Sequence, residues 1–292
     1  MTTSLPFRWD LARRQQLGRL LDGPVAESYR GLIDDLRDCC VRVLAQARGS
    51  DLAFVGRSPE SIYDYLTGVL AGTAHAERCV LLNLSMRHET ADEVERTAPA
   101  NLRALRQQLE HIGLGPAQIA ASERPWTFVD LVCGGNTFGN LAGLLAHFAA
   151  AEGVDARAVR RRIGFIGIVV RGKNSPNTWR WYQKVPWARD FPRSALRSVS
   201  VDAWTWQYLG EYQKKVARWH PPMWWGEEWM AEPPHGESSL QALRLAVRIH
   251  QAGRHPAERA RFAAALAARP EMKHAWLRRI VHDLRAHPAR ER

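Results

Sequence analysis

The stretch FVDLVCGGNTFGNL, residues 128 to 141, joins two apolar runs through Gly134, Gly135, Asn136 and Thr137, with one acid, Asp130, just upstream. A strand that ends in glycines, an amide and a hydroxyl and restarts as a helix leaves several backbone N–H groups unpaired. Those donors and the helix dipole suit a phosphate. A second turn of this kind lies in FVGRSPES, where Gly56, Arg57 and Ser58 follow the apolar run DLAFVG. Ser58 reads as a helix N-cap with Pro59 in the first turn. Arg57 offers a fixed fork of donors to a diphosphate, and Asp130 offers an acceptor. Each residue also admits a plain reading. Gly134 and Gly135 form a simple turn capped by Thr137, Asp130 ends its strand, Arg57 lies on the surface, and Cys133 fills space as a small hydrophobe.

Several familiar chemistries are missing. There is no GxxxxGK[ST], no GxGxxG, no HExxH and no CxxC, which argues against a P-loop, a dinucleotide fingerprint and a protein-held zinc. Four cysteines in 292 residues, two of them the adjacent Cys39 and Cys40, do not make a disulfide framework.

The elements that must position the two turns follow from the hydrophobic pattern. Strands are predicted at DLAFVG, at CVLLNLSM (79 to 86), at WTFVDLV and at IGFIGIVV (163 to 170). Helices are predicted over about 10 to 22 and 26 to 47, after Ser58, through Leu102, Leu105, Leu109 and Ile112, and through Leu141, Leu144, Leu145 and Phe148. Continuously apolar strands alternating with helices give an α/β fold, a mainly parallel sheet with helices on both faces. Ligands of such sheets gather at the carboxyl ends of the strands, which places Gly56 to Ser58, Ser85 to His88 and Gly134 to Thr137 on one edge. The chain divides into N-terminal helices (1–50), this core (51–172), a Trp-rich segment (173–237) and a basic helical tail (238–292).

The two turns, in this order, resemble the loops of type I phosphoribosyltransferases. In that family a strand ending in two acids, followed by two apolar residues and a Thr-Gly-Gly-Thr-like turn, grips 5-phosphoribosyl diphosphate (PRPP). The likeness covers about residues 50 to 172. It implies a phosphoribosyltransferase-like sheet, with the 5-phosphate held by Gly134, Gly135, Asn136, Thr137 and Phe138. Asp130 matches the second acid, near the ribose hydroxyls; Val129 stands where the first would be, a departure that leaves room for a domain that binds PRPP or a nucleotide without turnover. It further implies that Gly56, Arg57, Ser58 and Arg87 bind the pyrophosphate, Arg87 and His88 lying where the family keeps a mobile lid. Asp130 and Arg57 are then the catalytic pair. Mg2+ would be held mainly by PRPP itself, in keeping with the missing metal motif.

The segment WHPPMWWGEEWMAEPP (219 to 234) sets Glu227, Glu228 and Glu232 among Trp224, Trp225 and Trp229. Packing is one fate for such rings. Flat aromatic faces beside carboxylates are also what a sugar bearing ammonium groups needs. Trp224, Trp225, Glu227 and Glu228 are thus the candidate acceptor site, and an amino-sugar hydroxyl, as in aminoglycoside antibiotic biosynthesis, is the expected acceptor. Glu227, Glu228 and Asp202 are the candidate bases.

Most of the net charge of +11 sits in Leu240 to Arg292, where 12 Lys or Arg face 4 Asp or Glu. That run reads as a solvated or docking face rather than a nucleic-acid effector. The longest apolar run, Ile163 to Val170, is far short of the roughly 20 residues that span a bilayer. Arg8, Asp10, Arg13 and Arg14 stand where a signal peptide would be apolar, so a cytoplasmic protein with small-molecule partners, and with oligomers possible, is expected.

Overall fold

The computed structural model describes residues 5–86, 88–172 and 180–286. Its centre is a sheet of five parallel strands, β1 Asp51–Val55, β2 Cys79–Leu82, β3 Trp126–Leu131, β4 Ile163–Val170 and β5 Leu196–Val201, in the order β2-β1-β3-β4-β5. The first four are the predicted apolar runs. The fifth, LRSVSV, pairs with β4 and mixes apolar residues with the half-buried Arg197, Ser198 and Ser200, and that weakens its signature. It lies inside the Trp-rich segment, so the sheet extends past residue 172.

Helices leave from both faces. Before β1 come α1 Arg14–Leu17 and α2 Leu32–Ala47. Both are shorter than predicted. The first is one turn running into a 3-10 turn at Gly18–Leu21, and the second starts behind Gly31, whose φ of 99° no helix accepts. Helix α3 Glu60–Leu70 joins β1 to β2, and α4 Ala91–Thr97, α5 Pro99–His111 and α6 Pro116–Ala121 join β2 to β3. Then α7 Asn136–Glu152 and α8 Ala156–Arg161 lead to β4, α9 Ala203–Gln207 follows β5, and α10 Glu237–Arg254, α11 Pro256–Ala267 and α12 Ala275–Ala286 close the described chain.

Successive residues of a strand point to opposite faces, and the two cores keep this alternation. Phe54, Val129, Ile166 and Val199 pack with Leu36, Tyr65, Ile249, Phe262 and Ile280 from α2, α3, α10, α11 and α12. Val55, Phe128 and Phe165 pack with Leu105, Leu141 and Phe148 from α5 and α7.

The basic tail is therefore not a detachable appendage. Helix α10 lies so close to α3 that a Cβ on Gly253 would overlap Tyr65 O at 2.5 Å. Arg37 and Tyr65 both bond Glu258 of α11, at 2.8 and 2.6 Å. Burial of Leu243, Ile249, Phe262, Leu277 and Ile280 takes roughly 1.5–3 kcal/mol of apolar side chain apiece out of water. Among the described residues no helix is long and apolar enough to cross a membrane.

Candidate functional site

Between β1 and β3 the chain switches direction across the sheet. One strand sends α3 to the first core, the other sends α7 to the second. In doubly wound sheets a crevice opens at the carboxyl ends of such a pair, and ligands bind there. Both turns selected from the sequence stand at this point, on strands that pair directly, Phe54 opposite Val129.

The turn after β1 is held by the Gly56 N–H, which donates to Leu82 O at 2.8 Å. Gly56 has φ +77°, and a Cβ would meet Leu84 O at 3.3 Å, so both conformation and space call for glycine. Ser58 does not cap the helix. Pro59 takes the cap position without a side-chain bond, and Glu60 opens α3. The half-buried Arg57 makes no hydrogen bond or ion pair among the described residues. Burial lowers its pKa, and the charge of Glu60 raises it.

Glu60 anchors a strap. Its buried carboxylate accepts the N–H groups of Val216 and Ala217, at 3.1 and 2.8 Å, and lies 3.4 Å from Arg8 Nη1. Arg8 also bonds Asp64 and sits 5.1 Å from the centre of the Tyr63 ring. Gln213 reaches Ser61 Oγ. These bonds fix residues 213–217 on the first turn of α3 and bring in Lys215, which the sequence reading missed. Its ammonium donates to Leu209 O and lies 3.4 Å from Gln213 Oε1. Burial lowers the Lys215 pKa to about 8; Glu60 and Asp130 oppose this, and Arg57 adds to it.

Asp130 closes the site from β3. It is 7% exposed, and its Oδ1 accepts the neighbouring Leu131 N–H at 2.7 Å. Burial pushes this carboxyl well above the ordinary carboxylate range, against the pull of the Leu131 amide and Lys215. Val129 points to the other face and is fully buried among core side chains. A carboxylate in its place would be buried without water.

After β3 the chain turns through Cys133, which is exposed rather than space-filling, and Gly134 to the cap residue Gly135. Thr137 lies inside the first helical turn and is not the cap. The first helical bond runs from Gly139 N to Gly135 O, 3.1 Å, leaving the amides of Asn136, Thr137 and Phe138 ahead of it. The two glycines differ. Gly135 has φ +80°, and a Cβ would come within 3.1 Å of the Trp181 ring, whereas Gly134 has open space out to 3.9 Å. Asn136 is exposed and Thr137 half-buried. The Phe138 side chain is core, 5.1 Å from the Phe165 ring and 5.5 Å from Trp181, so only its amide is left to serve a phosphate. Asn140 ties α7 to Met86 O at 3.1 Å, beside the expected lid. Arg87 lies outside the described residues, and His88 is exposed.

The aromatic segment departs further from expectation. Trp225 is 1% exposed, packs in the second core and donates its indole N–H to His220 O at 3.0 Å, so its ring is closed to an acceptor. Trp224 stands edge-on between Trp219 and Trp229, with ring centres 5.3 and 5.2 Å away. The cation position over Trp229 belongs to the protein's own Arg218, 5.4 Å from the ring centre. Glu227 and Glu228 are exposed. The segment is moored to the continuation of β2 and to α5 through Asn83 to Arg218 O, Ser85 N to His220 O and Asn101 to Met223 O. Asp202 is consumed as the cap of α9, accepting from Thr205 N at 2.9 Å.

Among the described residues no group of three or more His, Cys, Asp or Glu is placed to hold a metal. Asp130 accepts one hydrogen bond, from Leu131 N, among the described residues, so a Mg2+ beside it would take most ligands from a bound polyphosphate and water, as that ion commonly does.

Compared with protein-family models, curated proteins and solved structures, the chain matches none of them. Fold and site together define an α/β protein with a five-stranded, all-parallel sheet and a charged switch point between β1 and β3.

Proposed function

We propose that this protein is a phosphoribosyltransferase that moves the 5-phosphoribosyl group of PRPP onto a small-molecule acceptor and releases pyrophosphate. The observation that carries this reading is the juxtaposition of two different glycine turns on paired strands, one beside Arg57 and one at the amide-exposing head of α7, with the buried carboxyl of Asp130 on the second strand. The donor sugar has a phosphate at one end, a diphosphate at the other and hydroxyls in the middle. The turn at Gly134 to Phe138 suits the 5-phosphate, the Gly56 to Ser58 turn suits the diphosphate, and Asp130 suits the ribose hydroxyls.

As the C1–O bond breaks, negative charge grows on the departing diphosphate and positive charge on the ring. Arg57 and the first-turn amides of α3 favour the former; Asp130, once ionised, favours the latter. A Mg2+ bound with the donor would supply further charge neutralisation. The acceptor hydroxyl attacks C1 from the face opposite the leaving group, forming the new C–O bond as the C1–O bond to diphosphate breaks, and its proton passes to solvent or to the released diphosphate. The acceptor's class is an amino-sugar hydroxyl, a reading supported by the exposed Glu227 and Glu228 beside the half-buried Trp224.

Incubation with PRPP and Mg2+ across a panel of hydroxyl acceptors, following pyrophosphate release, tests the proposal. Acceptor-dependent release is expected. Tight PRPP binding without release on any acceptor would favour a sensing role, which the buried Val129 at the first-acid position supports. Absence of PRPP binding would end both readings.

A further inference from the structure

Two cations, Arg57 in the turn before α3 and Lys215 on the strap bonded to the first turn of α3, form no ion pair among the described residues. Among the described residues the half-buried Arg57 makes no hydrogen bond or ion pair, and the Lys215 ammonium bonds a main-chain carbonyl and an amide oxygen and no acid. Each lies close enough to the other for Arg57 to disfavour the charge on Lys215. Two acids act on Lys215, Glu60 and Asp130, and among the described residues neither forms an ion pair with Lys215 or Arg57; Glu60 is already engaged by Val216 N, Ala217 N and Arg8. Two like charges, half out of water, are an unfavourable arrangement unless something negative bridges them. The strap from 213 to 217 is bonded to α3 through Glu60 and Ser61, so Lys215 is held at the turn. We infer that Lys215 and Arg57 form one diphosphate-binding site, with Lys215 contributed by the strap across the turn after β1. This assignment builds on the phosphoribosyltransferase reading, yet the chemistry it names is that of any diphosphate.

Calorimetric titration of the full chain with two probes, inorganic pyrophosphate in Mg2+ and ribose 5-phosphate, tests it. Lys215→Met should weaken pyrophosphate binding by about tenfold or more, the scale of a lost charge-assisted hydrogen bond, and leave ribose 5-phosphate binding unchanged. Arg57→Met should do the same, and Lys215→Arg should restore most of the loss. Unchanged pyrophosphate binding in Lys215→Met, or equal weakening of both probes, overturns the assignment. Should Lys215→Met not fold, failure of the folded Lys215→Arg to bind pyrophosphate within about threefold of wild type overturns it equally. Lys215-dependent pyrophosphate binding by a protein that takes up neither PRPP nor ribose 5-phosphate keeps the diphosphate site and removes the phosphoribosyl reading. Uptake of both sugar phosphates with Lys215-independent pyrophosphate binding does the reverse.

Discussion

The turn after β1 and the turn after β3 lie on paired strands of one sheet, yet they present an anion with different means. The first offers point charges, Arg57 and Lys215, the latter on a strap held by a buried polar network of Glu60, Ser61, Gln213, Arg8 and Asp64. The second offers no charged side chain among residues 133–138, only amides, an exposed amide side chain and a hydroxyl at the head of a 17-residue helix. Point charges grip whatever is most negative and release it when neutralised; fixed amides select shape and stay as they are at any pH. A site that must let go of one end of its ligand and keep the other has use for both.

Their supports differ as well, and this gives the largest expected effect. Helix α3 is backed by α10 and α11, while α7 packs on the opposite face. Removing residues 240–292 should abolish cooperative folding, seen as loss of a thermal transition by circular dichroism. A truncated chain that melts like the intact one would show that the charged turn stands without its backing.

Asp130, between the two turns, comes next. Asp130→Asn should reduce acceptor-dependent pyrophosphate release at least about 100-fold. The melting temperature should hold or rise, because a neutral amide removes the cost of burying a charge. Unchanged turnover would take Asp130 out of the site.

Within the amide turn the two glycines should separate. Gly135→Ala forces a left-handed residue against Trp181 and should cost about 1–2 kcal/mol in urea unfolding. Gly134→Ala should stay within about 0.5 kcal/mol, having neither constraint. Equal costs would mean that the turn is a rigid packing element throughout.

The smallest effect is the pH response. Lys215 faces Glu60 and Arg57 on the β1 side, Asp130 on the β3 side and Leu209 O beneath it, and burial brings its pKa down to about 8. It is charged below that value and loses its proton above it. Pyrophosphate affinity in the wild type should therefore fall between pH 7 and 9, several-fold by calorimetry, while ribose 5-phosphate affinity does not. Lys215→Arg should flatten the pyrophosphate curve, since guanidinium keeps its charge throughout.

Much of the scaffold was legible in the residues. The four apolar runs, the glycine turns and the α7 stripe each follow from a local pattern, because a strand buried on both faces and a helix start have strong local signatures. β5 was not legible, since an edge strand with Arg197, Ser198 and Ser200 lacks such a run. Nor was Lys215, one of two adjacent lysines in YQKKVARW with nothing in their spacing to set them apart. Trp225 and Trp224 looked alike in sequence. One became core, buried in the cluster that includes Leu84, Leu102 and Leu105, and the other a half-buried, edge-stacked ring.

By itself, then, the sequence determined an α/β alternation, two glycine turns able to present amides to an anion, and the placement of Asp130 just ahead of one of them. Those features depend on neighbours within a few residues. Tertiary structure decided that the turns stand on paired strands, that Val129 belongs to the core, that the basic tail is part of the fold, and that the strap carrying Lys215 is bonded to the first turn of α3. These are contacts between residues far apart in the chain, set by which faces must be buried together, and no local pattern encodes them.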